Sequence, residues 1–175
     1  MGLLIVFLVS AILCFFFGTF IADVFQEIQA ETVKFKKLVP EAVMPEYATN
    51  GSAGFDLVVP FAGQVLPGAR ALVRLGFSVK LPTGMELQVR PRSGLALKKG
   101  ITVLNSPGTI DSDYTGEVGV ILFNSTNDTF HFGPGDRIAQ GVLARYETAQ
   151  FEVVDELPTT ERGQGGFGST DLKKG

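Results

Sequence analysis

At 175 residues and 18.8 kDa, with Lys+Arg 15, Asp+Glu 18 and a net charge of -3, the chain reads as one domain plus an appendage. No basic stripe appears beyond "KFKK" at 34–37, so direct nucleic-acid binding is not expected, although a small charged ligand held by a few arginines stays open. A single cysteine, Cys14, and a single histidine, His131, exclude an intrachain disulfide and a cysteine metal cluster and leave a Ser-His-Asp triad without support.

The chain opens on apolar material. Residues 3–22, "LLIVFLVSAILCFFFGTFIA", carry no charge, and about 20 apolar residues are what a helix needs to cross the hydrocarbon core. A cleaved signal peptide competes with this reading. It fits less well, because no positive stretch precedes the run and no clean small-x-small site follows it. Residues 1–22 are therefore expected to form a membrane-anchoring helix. Lys34, Lys36 and Lys37 follow the span and none precedes it, which puts the body in the cytoplasm. Removal of the segment would leave a soluble cytoplasmic body. Residues 23–32, "DVFQEIQAET", read as a short helical or loose connector.

From Val33 to about Thr160 the pattern is strands and turns, an all-β domain. Strands are predicted at 33–38, 54–59, 69–80, 84–90, 101–104, 117–124 and 137–147. They are punctuated by "TNGSAG", "LPGA", "LPTG", "SPGT", "NSTND" and "FGPGD". His131 falls in this region as a partly exposed strand residue. "PRSGLALKKG" (91–100) has room for a short helical turn after Ser93. Residues 161–175 are rich in glycine and polar side chains and read as a flexible C-terminal arm.

Several stretches suit a polyanion. Arg92, Ser93 and Gly94 offer a guanidinium, a hydroxyl and successive backbone N–H groups at the start of a helical turn. Gln140 adds a donor, while Asp136 and Arg137 read as a structural ion pair. Arg162, with the glycines and Phe167 after it, reads as a phosphate-closing loop with a stacking ring. Asp111, Asp113 and Tyr114 cluster just ahead of an apolar strand. Taken alone, such a cluster is usually a solvated turn.

In order, "AGFDL" (53–57), "PRSGLALKKGI" (91–101), "NSPGTIDSDYTGEV" (105–118), "GDRIAQ" (135–140) and "RGQGGFGST" (162–170) resemble the five motifs of the trimeric dUTP pyrophosphatases, or dUTPases. The resemblance runs from about Val33 to Thr170, and the N-terminal span is outside it. It implies a homotrimer of jelly-roll-like barrels with swapped C-terminal arms, three subunits sharing each site, and hydrolysis of dUTP to dUMP and diphosphate. That reaction limits uracil incorporation into DNA and supplies dUMP for thymidylate synthesis. By the same resemblance Asp111 is the general base, and Tyr114 lies beneath the deoxyribose and refuses a 2′-hydroxyl. Asn105, Thr109 and Ile110 belong to the hairpin that reads uracil. Arg92, Ser93, Gly94 and Gln140 hold the triphosphate. Arg162 meets the terminal phosphates, and Phe167, with Gly168 and Ser169, covers the base. Asp56 supports Mg2+ through water, and Asp113 stabilises the turn or pairs with a cation. Two other readings stay open: a dCTP deaminase-like enzyme on the same fold, and a membrane-tethered dUTP-binding signalling module. The first needs a catalytic glutamate and other pyrimidine-reading residues. The second sits poorly with a complete catalytic set.

Overall fold

The computed structural model describes residues 31–166. The apolar stretch 3–22, most of the connector, and Phe167, Gly168 and Ser169 lie outside the described residues. Among the described residues no helix is long and apolar enough to cross a membrane.

Among the described residues ten strands and one helix follow in chain order: β1 (Lys34–Lys37), β2 (Gly54–Val58), β3 (Gly63–Val65), β4 (Arg70–Lys80), β5 (Met85–Arg90), α1 (Ser93–Lys99), β6 (Ile101–Val103), β7 (Gly108–Ile110), β8 (Glu117–Asn124), β9 (Phe130–Phe132) and β10 (Arg137–Arg145). All strand pairs are antiparallel. One sheet has the order β1-β4-β8-β6, a second β2-β10-β5-β7, and β3-β9 make a two-stranded ribbon.

Alternation builds the sandwich. Along β8, "EVGVILFN", every second residue is buried, so Val118, Val120 and Leu122 enter the core while Glu117, Gly119 and Ile121 face outward. From the opposite sheet Leu57, Leu87, Val89 and Ile110 meet them in one cluster. Fully burying a side chain such as Leu75, Phe77 or Leu87 stabilises the fold by about 1.5–3 kcal/mol. This two-sheet layering is what a jelly-roll-like fold predicts.

The alternation breaks in β4, where the five residues from Leu75 to Val79 are all buried in succession. There Arg74 faces Gly119 and Ser78 faces Glu117, so β4 carries a bulge. Gly76 meets its geometry with φ 73°, and a Cβ there would lie 2.5 Å from Val39 Cγ2. Asn124, wholly buried at the end of β8, is saturated: its Nδ2 donates to the Val65 and Asp128 carbonyls, and its Oδ1 accepts from the Thr126 N–H and hydroxyl.

Candidate functional site

Two clefts collect the site residues predicted from the sequence. The first, about 530 Å³, lies over the outer face of the β2-β10-β5 sheet and the start of α1. Register brings its parts together, because Gln140 pairs directly with Asp56 on one side and with Arg90 on the other. Arg92, Ser93, Gly94, Gln140 and Asp56 all line this cleft. Gln140 Nε2 donates to the Pro91 carbonyl at 2.9 Å, tying β10 to the loop that carries Arg92. Four cationic side chains, Arg92, Arg137, Lys98 and Lys99, stand here against the single carboxylate of Asp56. The cleft therefore carries a net positive lining in a chain that is acidic overall.

Asp56 bridges the two guanidiniums. Arg92 Nε lies 3.1 Å from Oδ1 and Arg137 NH1 lies 3.3 Å from Oδ2. Arg92 also donates to the Arg137 carbonyl at 2.9 Å. The expected Asp136–Arg137 pair is not formed; instead Asp136 accepts the Gly133 N–H at 2.7 Å and Arg137 turns to Asp56. The reason is a register shift between Arg137 and Ala139, which lets Arg137 and Gln140 line the same cleft although strict alternation would separate them. Arg137, Lys98 and Lys99 are thus cleft residues that sequence reasoning passed over. For the lysines the signal was their position in the last turn of a short helix.

The second cleft, about 300 Å³, is smaller and more apolar. Asn105, Thr109, Ile110, Asp111 and Tyr114 line it together with Leu72, Arg74, Glu117, Gly119 and Ile121. The volume sits at the small end of ligand pockets. β7 is the end strand of its sheet, so one row of its backbone N–H and C=O groups points away from β5 toward open space.

The turn after β7 is pinned at Ser112. Lys80 Nζ donates to its carbonyl at 2.8 Å, and its hydroxyl lies 3.3 Å from the Tyr146 hydroxyl. The Tyr114 N–H closes the turn on the Asp111 carbonyl at 3.2 Å. Among the described residues the Asp111 carboxylate has no hydrogen-bond or ion-pair partner and stands exposed. Asp113 is also exposed; Ser112, rather than Asp113, holds the turn. The Tyr114 hydroxyl donates to the Glu117 carbonyl at 3.1 Å, laying the ring across Gly116. Arg162 lines neither cleft and donates to the Gly165 carbonyl at 2.8 Å. His131 is an exposed residue of β9, as expected.

The known proteins that resemble the chain agree on one family. The dUTPase family model matches residues 40–171. A deoxyuridine 5'-triphosphate nucleotidohydrolase of Wolinella succinogenes is 52% identical over 144 residues, 82% of this chain and 97% of that protein. Its counterpart in Treponema denticola is 56% identical over 140 residues, 79% and 97% of the two chains. Among solved structures, the Staphylococcus bacteriophage 80alpha dUTPase bound to dUpNHpp superposes with a TM-score of 0.75 at 25% identity, covering 81% of this chain and 99% of that one. A phage phi11 dUTPase, described with a structural Mg(II) ion, shares the fold at 22% identity and a TM-score of 0.68 over 73% of this chain and 99% of its own. With the family model spanning most of the chain and relatives matched almost end to end, the chain belongs to the dUTPase family.

Proposed function

We propose that the chain hydrolyses dUTP to dUMP and diphosphate, with Asp111 as general base. The observation that carries this reading is the division of labour between the clefts: four cations, two of them paired to Asp56, in one, and an unpaired carboxylate beside an aromatic ring in the other. Neither a bare anion site nor a bare nucleoside site needs both.

The Asp111 carboxylate takes a proton from water, whose oxygen bonds to the α-phosphorus. The bond from that phosphorus to the bridging oxygen breaks, and diphosphate leaves with the electron pair. Positioning supplies much of the rate, so a carboxylate held by a pinned turn, yet bonded to nothing itself, suits the task. Arg92, Ser93, Gly94 and Gln140 take the phosphate oxygens. The unpaired edge of β7, with Asn105, Thr109 and Ile110, presents donors and acceptors to uracil, and the reversed edge of cytosine would leave them unsatisfied. Tyr114 forms the floor under the deoxyribose. Arg162, Phe167, Gly168 and Ser169 close over the nucleotide from a neighbouring subunit.

Mg2+ fits as an ion carried mostly by phosphate and water. Among the described residues no group of three His, Cys, Asp or Glu is placed to hold a metal, and the only acidic residue lining the anion cleft is Asp56, already shared by two guanidiniums. Asp56 would hold the ion through water, and bound magnesium would neutralise triphosphate charge.

A homotrimer is favoured by what one chain leaves undone. Its two clefts do not merge. Phe151 and Val153 are almost wholly exposed on a segment, 147–160, without regular structure. The division into an anchor (1–22), connector (23–32), β domain (33–160) and arm (161–175) belongs to the same proposal. Anchoring rests on the uncharged length of residues 3–22 alone; carbonate-resistant membrane association tests it.

A panel of nucleoside triphosphates assayed with magnesium tests the activity. Diphosphate release from dUTP, and little from dCTP, dTTP or UTP, is the expected result. Ammonia release from dCTP would overturn the assignment.

A further inference from the structure

Glu117 makes contacts that the reaction above does not use. The bulge in β4 leaves the Gly76 N–H without a carbonyl on β8, and Glu117 Oε1 accepts it at 3.0 Å. Its other oxygen, Oε2, lies 2.8 Å from Arg74 NH1. The far side of the same bulge is fixed too, since the Gly76 carbonyl accepts the Leu38 N–H at 2.8 Å. The Glu117 backbone carbonyl in turn accepts the Tyr114 hydroxyl at 3.1 Å. One residue therefore joins the irregular point of β4 to the aromatic floor of the nucleoside cleft.

We infer that Glu117 is a positioning residue for sugar selection, holding Tyr114 in place through its own backbone while its carboxylate locks that backbone onto the β4 bulge. The inference rests on the reading of Tyr114 as the floor beneath the deoxyribose. Of the two side-chain bonds, the one to Gly76 matters more. The Arg74 side chain is 63% exposed, where ion pairs contribute little. Loss of the acceptor for Gly76, by contrast, strands a backbone donor.

The test is the ratio of kcat/KM for dUTP to that for UTP, which a mere loss of folded enzyme leaves unchanged. Glu117→Ala should lower the ratio about three- to tenfold, below the ~10²-fold that a full misplacement of about 1 Å can cost. Glu117→Gln keeps an acceptor for Gly76 and should stay near the wild-type ratio. Tyr114→Phe cuts the same link from the ring side and retains the fold, so it should lower the ratio comparably. The double variant should then add nothing further, as two changes in one link do. A wild-type ratio in both Glu117→Ala and Tyr114→Phe, while Tyr114→Ala collapses it, overturns the positioning role and leaves the floor intact. A wild-type ratio in Tyr114→Ala overturns the floor itself. If Glu117→Ala does not fold, Tyr114→Phe alone decides.

Discussion

Gly116→Ala separates what Tyr114 does for the site from what it does for the fold. An added Cβ at Gly116 would lie 2.5 Å from the Tyr114 hydroxyl oxygen, 2.6 Å from Cζ and 3.0 Å from Cε2. Non-bonded carbons settle near about 3.5–4.0 Å, so the ring must withdraw by about 1 Å. Withdrawal is cheap for stability, because Tyr114 is 46% exposed and its ring is the far end of the side chain. The bond lost is the one to the Glu117 carbonyl, a net contribution of about 0.5–1.5 kcal/mol. Against it stands a gain of about 0.4–1 kcal/mol from the stiffer unfolded chain. Stability should therefore change by no more than about 1 kcal/mol, a few degrees in Tm. Catalysis should suffer more, because an error of about 1 Å in a positioning group can cost about 10²-fold. The expected result is a fall of about 10- to 100-fold in kcat/KM for dUTP with a smaller fall for UTP, so the preference between the sugars narrows. Steady-state kinetics on both nucleotides and a thermal melt of the same preparation measure it. A variant that keeps the wild-type preference refutes the seat of the ring as the productive one. A loss of several kcal/mol refutes the claim that the ring is dispensable to the fold.

Asp111→Asn should retain folding and dUTP binding but lose about 10²-fold or more in turnover, the usual weight of a positioned base; near-normal turnover would move the base elsewhere, with Asp113 the next suspect. Asn124→Ala removes four hydrogen bonds, one buried and three part-buried, and should destabilise by about 2–5 kcal/mol, read as a lower urea midpoint at unchanged m. Truncation before Arg162 should spare assembly and stability while turnover falls steeply. Mixing those subunits with Asp111→Asn subunits should restore part of the activity. Silence from mixtures that demonstrably exchange subunits would refute a shared site.

The strands that the sequence made legible are those long enough to show a period. All seven predicted strands form, 117–124 with both ends as predicted and no other end shifted by more than two residues. The three that escaped, "GQV" in β3, "GTI" in β7 and "FHF" in β9, have three residues each, too few for alternation to stand out from the turns beside them. Bulges hid the rest. A residue inserted into β10 turned Arg137 into the anion cleft, and the β4 bulge gave Glu117 a backbone donor to satisfy 41 residues away. Side-chain roles that depend on a partner strand's irregularity leave no mark in the local pattern. Arg92, Gln140, Asn105 and Tyr114 stood out because their motifs occur together in order, although nothing local distinguishes Asp111 from Asp113.

What distinguishes those two carboxylates is where the chain crosses between sheets. The turn from Asp111 to Gly116 leaves β7, at the edge of one sheet, and enters β8, in the middle of the other. It is clamped from both. Lys80 ends β4 in the sheet the chain is entering, Tyr146 follows β10 in the sheet it is leaving, and both hold Ser112. The Tyr146 N–H is itself bonded to the Gly84 carbonyl at 3.1 Å, so the clamp is anchored in the turn that crosses from β4 to β5. Asp111 precedes the clamped residue and lines the nucleoside cleft; Asp113 follows it and does not. A carboxylate bonded into the ladder would be rigid but spent on structure, and one on a loose loop would be available but misplaced. Fixing the neighbouring backbone from two sheets while leaving the side chain unpartnered suits Asp111 to the proposed role of general base, which needs both a fixed position and free lone pairs.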